Sequence, residues 1–226
     1  MNAMNQHVIV NDAWKSYDRG QIEVLRGVGL EVAAGEVVAL CGSSGCGKST
    51  LLNVISGLET VDRGTVRVIG RDVTEEAVRV DLLRRHIGYV FQLHHLIPDL
   101  TLRENCMVPV VATRGGRREG LQRLRELAEA TGISHRLGQR VRELSGGERQ
   151  RGALVRSMMN DPELLLCDEP TGALDEKNRE IVFELLLGLA RARGRTLVIA
   201  THDPSIAERC DRTLHMRDGA IVGETT

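Results

Sequence analysis

Apolar positions along the chain recur with two different periods. "HVIV" and "IEVLRGVGLEV" near the N-terminus have the alternation and β-branched content of short strands, and turn-forming "DRG" and "AAGE" punctuate them. "EVVALCG" is a continuous apolar run that closes on glycine, as in a buried strand entering a loop. The spacing then turns helical in "KSTLLNVISGL", which predicts Leu51, Leu52, Ile55 and Leu58 on one face. "GTVRVIG" and "IGYVFQ" predict two more strands.

From residue 92 to about 160 the pattern is mainly helical. "RREGLQRLRELAEATGI" puts Leu121, Leu124, Leu127 and Ala128 on one side with charges opposite, and "GGERQRGALVRSMMND" predicts a further helix. Gly152 lies inside that helix, where glycine costs about 1 kcal/mol relative to alanine. Strand–helix alternation then resumes: "ELLLCDEP" as strand, "NREIVFELLLGLARARG" as helix, "TLVIATHD" as strand. Near-continuous apolar strands that alternate with helices indicate a parallel sheet covered on both faces. The expected organisation is one domain over 1–226. Its α/β core spans 1–91 and 161–226, and residues 92–160 form an inserted helical subdomain.

Composition removes several function classes. The chain has 226 residues, net charge −1 and 2% aromatics, so it offers neither a basic footprint nor stacking platforms for nucleic acid. Five scattered cysteines form no CxxC pair and fit a reducing compartment rather than a disulfide framework. No apolar run approaches the roughly 20 residues of a membrane span, and "MNAMNQHVIVND" lacks the regions of a signal peptide. A soluble protein is expected, with any membrane role exercised through a partner.

"GSSGCGKST" matches G-x-x-x-x-G-K-[ST] between a predicted strand and a predicted helix, the context the motif needs. Gly42, Ser43, Ser44, Gly45, Cys46 and Gly47 would curl so that backbone N–H groups face phosphates, with the helix N-terminus adding a favourable dipole. Lys48 would reach the β- and γ-phosphates, Ser49 would offer its hydroxyl to Mg²⁺, and Thr50 would sit near the α-phosphate. The nucleotide is expected to be ATP. At the end of the later apolar strand, Asp168 suits Mg²⁺ through its water shell, and Glu169 beside it can accept a proton from an attacking water. Cys46, at a helix N-terminus, is expected to have a lowered pKa, to react with maleimides and to be protected by MgATP.

"ELSGGERQR" adds a second anion-binding helix start, with Ser145 as N-cap followed by Gly146 and Gly147. It is far from Lys48 in sequence, and one economical use is to complete the site of another molecule. The motif resembles the signature sequence of ATP-binding cassette (ABC) ATPases, and the likeness extends over almost the whole chain. It implies a P-loop NTPase (RecA-like) core with an N-terminal antiparallel β subdomain and an inserted α-helical signature subdomain. It also implies a homodimer that forms on ATP binding and sandwiches two nucleotides. By the same resemblance Tyr17 stands where an aromatic stacks on adenine, and Gln92 where a glutamine senses Mg²⁺ and water. Asp175, ending "GALD", stands at a turn that crosses the dimer interface, and His202 in "THD" where a histidine contacts the γ-phosphate.

"FQLHHLIPDLT" follows Gln92 directly. In ABC transporters this junction receives a short helix from the membrane subunit, so His94, His95, Leu96, Ile97 and Pro98 are expected to meet a permease, with Leu96 and Ile97 exposed. The stretch, together with "SSGCGKSTLLN", "CDEPTGALD" and "MRDG", resembles lipoprotein-release ATPases of the LolD type and their macrolide-export relatives of the MacB type. That likeness implies peripheral attachment at the cytoplasmic face of an inner membrane. A regulatory cassette of a cell-division complex is the alternative that these motifs separate least. Cys46 and Cys167 depart from the family by occupying positions where serine and alanine are usual.

Overall fold

The computed structural model describes residues 6–172 and 174–226; Ala173 of "GALD" lies outside the described residues. The apolar runs with no alternation become the inner strands of a six-stranded sheet, ordered β10-β9-β3-β8-β7-β6. β3 (Val37–Cys41), β6 (Ile87–Val90), β7 (Leu164–Asp168) and β8 (Thr196–Thr201) pair in parallel. Every residue of β8 is buried, as expected of a strand covered on both faces. β9 (Arg212–Arg217) adds in parallel to β3 and returns as β10 (Ala220–Thr225) through a tight hairpin. Asp218 and Gly219 take φ +48° and +81° there, the backbone that a two-residue I′ turn requires.

The N-terminal strands are longer than the alternation predicts. β1 (Gln6–Tyr17) and β2 (Ile22–Ala33) pair antiparallel, and β4 (Arg63–Val68) and β5 (Arg71–Asp72) complete a second, four-stranded sheet ordered β2-β1-β4-β5. Helix α1 (Lys48–Ser56) is clamped between the two sheets. Its Leu51, Leu52 and Ile55 share one core with Val8, Val10 and Leu25 on one side and with Val38, Leu40, Leu164 and Leu166 on the other. Leu58 does not extend that face: Gly57 ends the helix in the left-handed region, and Leu58 is 49% exposed.

After α2 (Glu76–Asp81) and a π-helical turn (Leu82–His86), β6 leads into the helical lobe of α3 (Leu102–Ala112), α4 (Arg117–Ala130) and α5 (Gly146–Met158). α3 starts on a complete capping box, Thr101 with Glu104. α5 belongs to two cores at once. Leu154 and Met158 pack with Phe183 and Leu186 of α6 (Glu176–Arg191) under the parallel sheet. Val155, with Met159 just past the end of the helix, packs with Leu96, Leu102 and Leu124 inside the lobe.

This packing accounts for Gly152. A Cβ placed there would lie 2.4 Å from Cδ1 of Leu102, itself fully buried, so glycine lets α5 approach α3 closely. Overpacking a core typically costs about 1–3 kcal/mol, against the roughly 1 kcal/mol that alanine recovers in helix propensity. Gly152→Ala is therefore expected to lower the thermal midpoint rather than raise it. A scanning-calorimetry midpoint equal to or above that of the parent chain would contradict this packing account.

Candidate nucleotide site

The turn between β3 and α1 is set by close approaches that exclude a side chain. A Cβ on Gly42 would lie 2.3 Å from the Met216 carbonyl oxygen, and one on Gly47 would lie 2.8 Å from the Val24 carbonyl oxygen. Gly47 also takes φ +104°, immediately before the helix starts at Lys48. The turn is thereby wrapped around the first free N–H groups of α1, the local geometry that suits a phosphate.

Lys48 is nearly buried. Its Nζ donates to the carbonyl oxygens of Gly42 (2.7 Å) and Ser43 (3.1 Å) and lies 3.7 Å from Oε1 of Glu169. Glu169 follows β7 in the left-handed region, φ +45°, a strained conformation for a non-glycine residue. Its N–H donates to the Ala200 carbonyl on β8, which fixes the turn. Oε2 of Glu169 is 2.6 Å from Nδ1 of His202, whose ring is otherwise 67% exposed. One carboxylate thus stands between a lysine ammonium and an imidazole. These residues, with Ser44, Gly45, Gly47, Ser49, Thr50 and Gln92, line a cleft of about 560 Å³. Val24 on β2 also lines it, and the motifs gave no reason to look for it.

Asp168 lies beneath. Its Oδ1 is buried without a hydrogen-bond partner. Burial raises the pKa of Asp168, Glu169 adds to the rise, and the Ser49 hydroxyl and Lys48 oppose it. An orphaned buried carboxylate oxygen beside the Ser49 hydroxyl, with the Gln92 amide lining the cleft above, offers hard oxygen donors. That set fits Mg²⁺.

Other residues singled out by sequence stand apart. Tyr17 ends β1, 36% exposed, with Nζ of Lys15 5.4 Å from its ring centre, and is not among the residues lining the cleft. Ser145 caps α5, accepting from the Glu148 N–H while Glu148 Oε2 accepts from the Ser145 N–H. Gly147 is pressed against Asn178, where a Cβ would come within 2.6 Å of Oδ1. Asp175 caps α6 by accepting from the N–H and Nδ2 of that same Asn178. The Ser145 turn and the Asp175 turn are therefore neighbours in one chain, and neither lines the cleft around Lys48.

Two expectations are corrected. The maleimide reactivity expected of Cys46 does not fit its place: its side chain is 6% exposed and packs into the core between the sheets, while its backbone stays in the phosphate loop. Leu96 is not part of an exposed surface. It is 4% exposed inside the helical lobe, whereas Leu93 (66%) and Ile97 (48%) face outward. A run of four apolar or aromatic neighbours carries no periodicity from which their directions could be read.

Asp168 generates a test with a definite sign. A carboxyl whose native pKa is raised contributes less stability as the pH climbs from its ordinary value through the native one, so the Asp168 carboxyl weakens the nucleotide-free fold above that range. Asp168→Asn is expected to raise the thermal midpoint of the nucleotide-free chain by a few degrees. It is also expected to abolish the extra stabilisation that Mg²⁺ gives in the presence of ATP. Differential scanning fluorimetry at pH 7, with and without MgATP, reads both effects.

Comparison with known proteins agrees with this geometry. The pattern of the ABC transporter family matches residues 25–172. The macrolide export ATP-binding/permease protein MacB of Shigella flexneri is 43% identical over 217 residues; the match covers 94% of this chain, which spans about a third of that protein (33%). The dimeric MJ0796 cassette, a bacterial ABC transporter cassette, superposes with a TM-score of 0.90 at 33% identity, over 97% of this chain and 98% of the other. Its post-hydrolysis form bound to ADP and Pi gives 0.89 at the same identity and coverage. CbiO1 of Clostridium perfringens, part of the cbiONQ ABC transporter complex, gives 0.87 at 26% identity, over 97% of this chain and 88% of the other. The chain belongs to the ABC transporter family, as one of its ATP-binding cassettes.

Proposed function

We propose that the chain is the ATP-hydrolysing subunit of an ABC transporter, closing as a homodimer around two ATPs to drive a membrane permease. The observation that carries this reading is Glu169, held between Lys48 and His202 in the cleft while the Ser145 turn faces elsewhere. The loop N–H groups and Lys48 hold the phosphates. Glu169 takes a proton from the water that attacks the γ-phosphorus; the new O–P bond forms as the bond to the bridging oxygen breaks, and ADP departs. His202, oriented through Nδ1 by Glu169, presents its other ring nitrogen to the γ-phosphate. Ser49, Asp168 and Gln92 would hold Mg²⁺, which would supply positive charge against the phosphates. Tyr17 stacks on adenine, and Ser145, Gly146, Gly147 and Asp175 complete the site of the opposite subunit.

The permease contact falls on the segment after Gln92. Leu93 and Ile97 supply apolar area there, with His94, His95 and Pro98 around them, while Leu96 anchors the segment from inside. Val108 (43% exposed) and Val111 (73%) of α3 add further apolar surface in the same lobe. No helix among the described residues is long and apolar enough to cross a membrane, so attachment to the cytoplasmic face of the inner membrane would run through this contact. The transport task we favour is release of lipoproteins from that membrane. Macrolide export is the second reading, favoured by the 43% identity to the export protein of Shigella flexneri.

Glu169→Gln is expected to bind ATP and dimerise while its turnover falls by about 10²–10⁴. Ser145→Arg should keep ATP binding by the monomer and lose the dimer. Sedimentation velocity in ATP, with phosphate release, separates these outcomes, and near-normal turnover by Glu169→Gln would remove the role given to that carboxylate. A membrane pull-down with tagged Glu169→Gln in MgATP tests the pathway. Permeases carrying acylated proteins support lipoprotein release, a macrolide-type permease with its periplasmic adaptor supports export, and division proteins overturn both.

A further inference from the structure

The segment that follows Gln92 is gripped by side chains that no motif marks. Arg156 on α5 donates from Nη2 to the carbonyl of His94 (2.9 Å) and from Nη1 to the carbonyl of His95 (2.6 Å). One planar guanidinium thereby satisfies two successive backbone carbonyls in a fixed fork. His95 meanwhile takes φ +44°, a conformation that has to be imposed on a residue with a Cβ. Gln150, also on α5, donates to the carbonyl of Phe91 (3.3 Å). Asn105 on α3, 1% exposed, accepts from the N–H of Ile97 (2.7 Å) and donates back to its carbonyl (3.1 Å).

On the core side the chain is tied just as firmly. The Phe91 ring stacks on Tyr89 at 4.1 Å, and the Tyr89 hydroxyl donates to Oδ1 of Asn53 on α1, the helix that carries Lys48. Gln92 and Leu93, both exposed, are left between these two sets of anchors.

We propose that Arg156 is a positioning residue: it makes segment 94–97 one rigid body with α5, so that the reach of Gln92 into the cleft follows the position of the Ser145 turn at the head of that helix. This rests on the reading of the chain as an ATPase. Arg156 touches neither nucleotide nor metal and acts only through the backbone it holds. Its consequence is that movement of the signature helix is converted directly into displacement of Gln92 at the nucleotide.

The test compares the full chain with Arg156→Ala and Arg156→Lys, in MgATP turnover and in amide hydrogen exchange. Arg156→Ala is expected to speed exchange of the Leu96 and Ile97 amides and to lower kcat by about tenfold or more, while KM for MgATP stays within a few-fold. Lysine keeps the charge and N–H donors but lacks the rigid planar fork, so Arg156→Lys should recover part of both effects; it also carries the test alone if the alanine variant does not fold. Exchange at parental rates, or parental kcat despite faster exchange, would overturn the proposal, as would a fall in kcat matched by an equal loss of ATP affinity. A parent chain that binds ATP and shows no turnover would sink the ATPase reading instead, and exchange at Leu96 and Ile97 would then decide the clamp by itself.

Discussion

The site depends on how closely backbone can pass backbone at the start of α1. The turn from β3 threads between the Met216 carbonyl of β9 and the Val24 carbonyl of β2, and it fits only because Gly42 and Gly47 have no Cβ. Those two contacts come from different sheets, so the turn is where the parallel and antiparallel layers are fastened together. With Leu51, Leu52 and Ile55 clamped between the same layers, α1 has no freedom to tilt, and its first N–H groups are aimed at the cleft before any ligand arrives. Preorganisation of this kind is a packing property first and an electrostatic one second.

Charge is arranged on that scaffold with little slack. Lys48 spends two donors on carbonyls of its own loop and sits 3.7 Å from Glu169, which in turn holds His202. An arriving phosphate competes for Lys48 against two loop carbonyls at hydrogen-bond distance and against the Glu169 carboxylate at 3.7 Å. Asp168 is the costly member: half-buried, with one oxygen buried and unpartnered and its pKa raised by desolvation against the opposing Ser49 hydroxyl and Lys48, it gains when a cation or a proton is supplied. Strain and desolvation are thus concentrated in two consecutive residues at the end of one strand, Asp168 and Glu169.

Much of this was legible in the sequence, for reasons that differ from element to element. Unbroken apolar runs marked β3, β7 and β8 because a strand covered on both faces cannot afford a polar position, and the phosphate loop was readable because its chemistry fixes residue types at fixed spacing. The β9–β10 hairpin was missed although Asp218-Gly219 is a strong turn signal. Helix α3 was missed as a discrete element although Thr101 and Glu104 spell its capping box. Leu96 and Cys46 were assigned the wrong side of the surface because direction within an irregular segment is set by tertiary contacts. Arg156, Asn105 and Gln150 carried no signal at all: each acts on backbone distant in sequence, and nothing local distinguishes such an arginine from a solvated one.

The separation of the Ser145 turn from the Lys48 cleft has a consequence for symmetry. On the proposed reading the chain carries two unlike half-sites on different lobes, so a copy of itself can complete it only if each donates what the other lacks. A two-fold axis that brings one Ser145 over the opposite Lys48 necessarily does the reverse as well, and complete sites therefore arise in pairs. Gly147 and Asp175 are joined through Asn178 within one chain, so in the proposed dimer both would reach the opposite cleft as a single preassembled edge. In the proposed dimer, completing one cleft would complete the other as well.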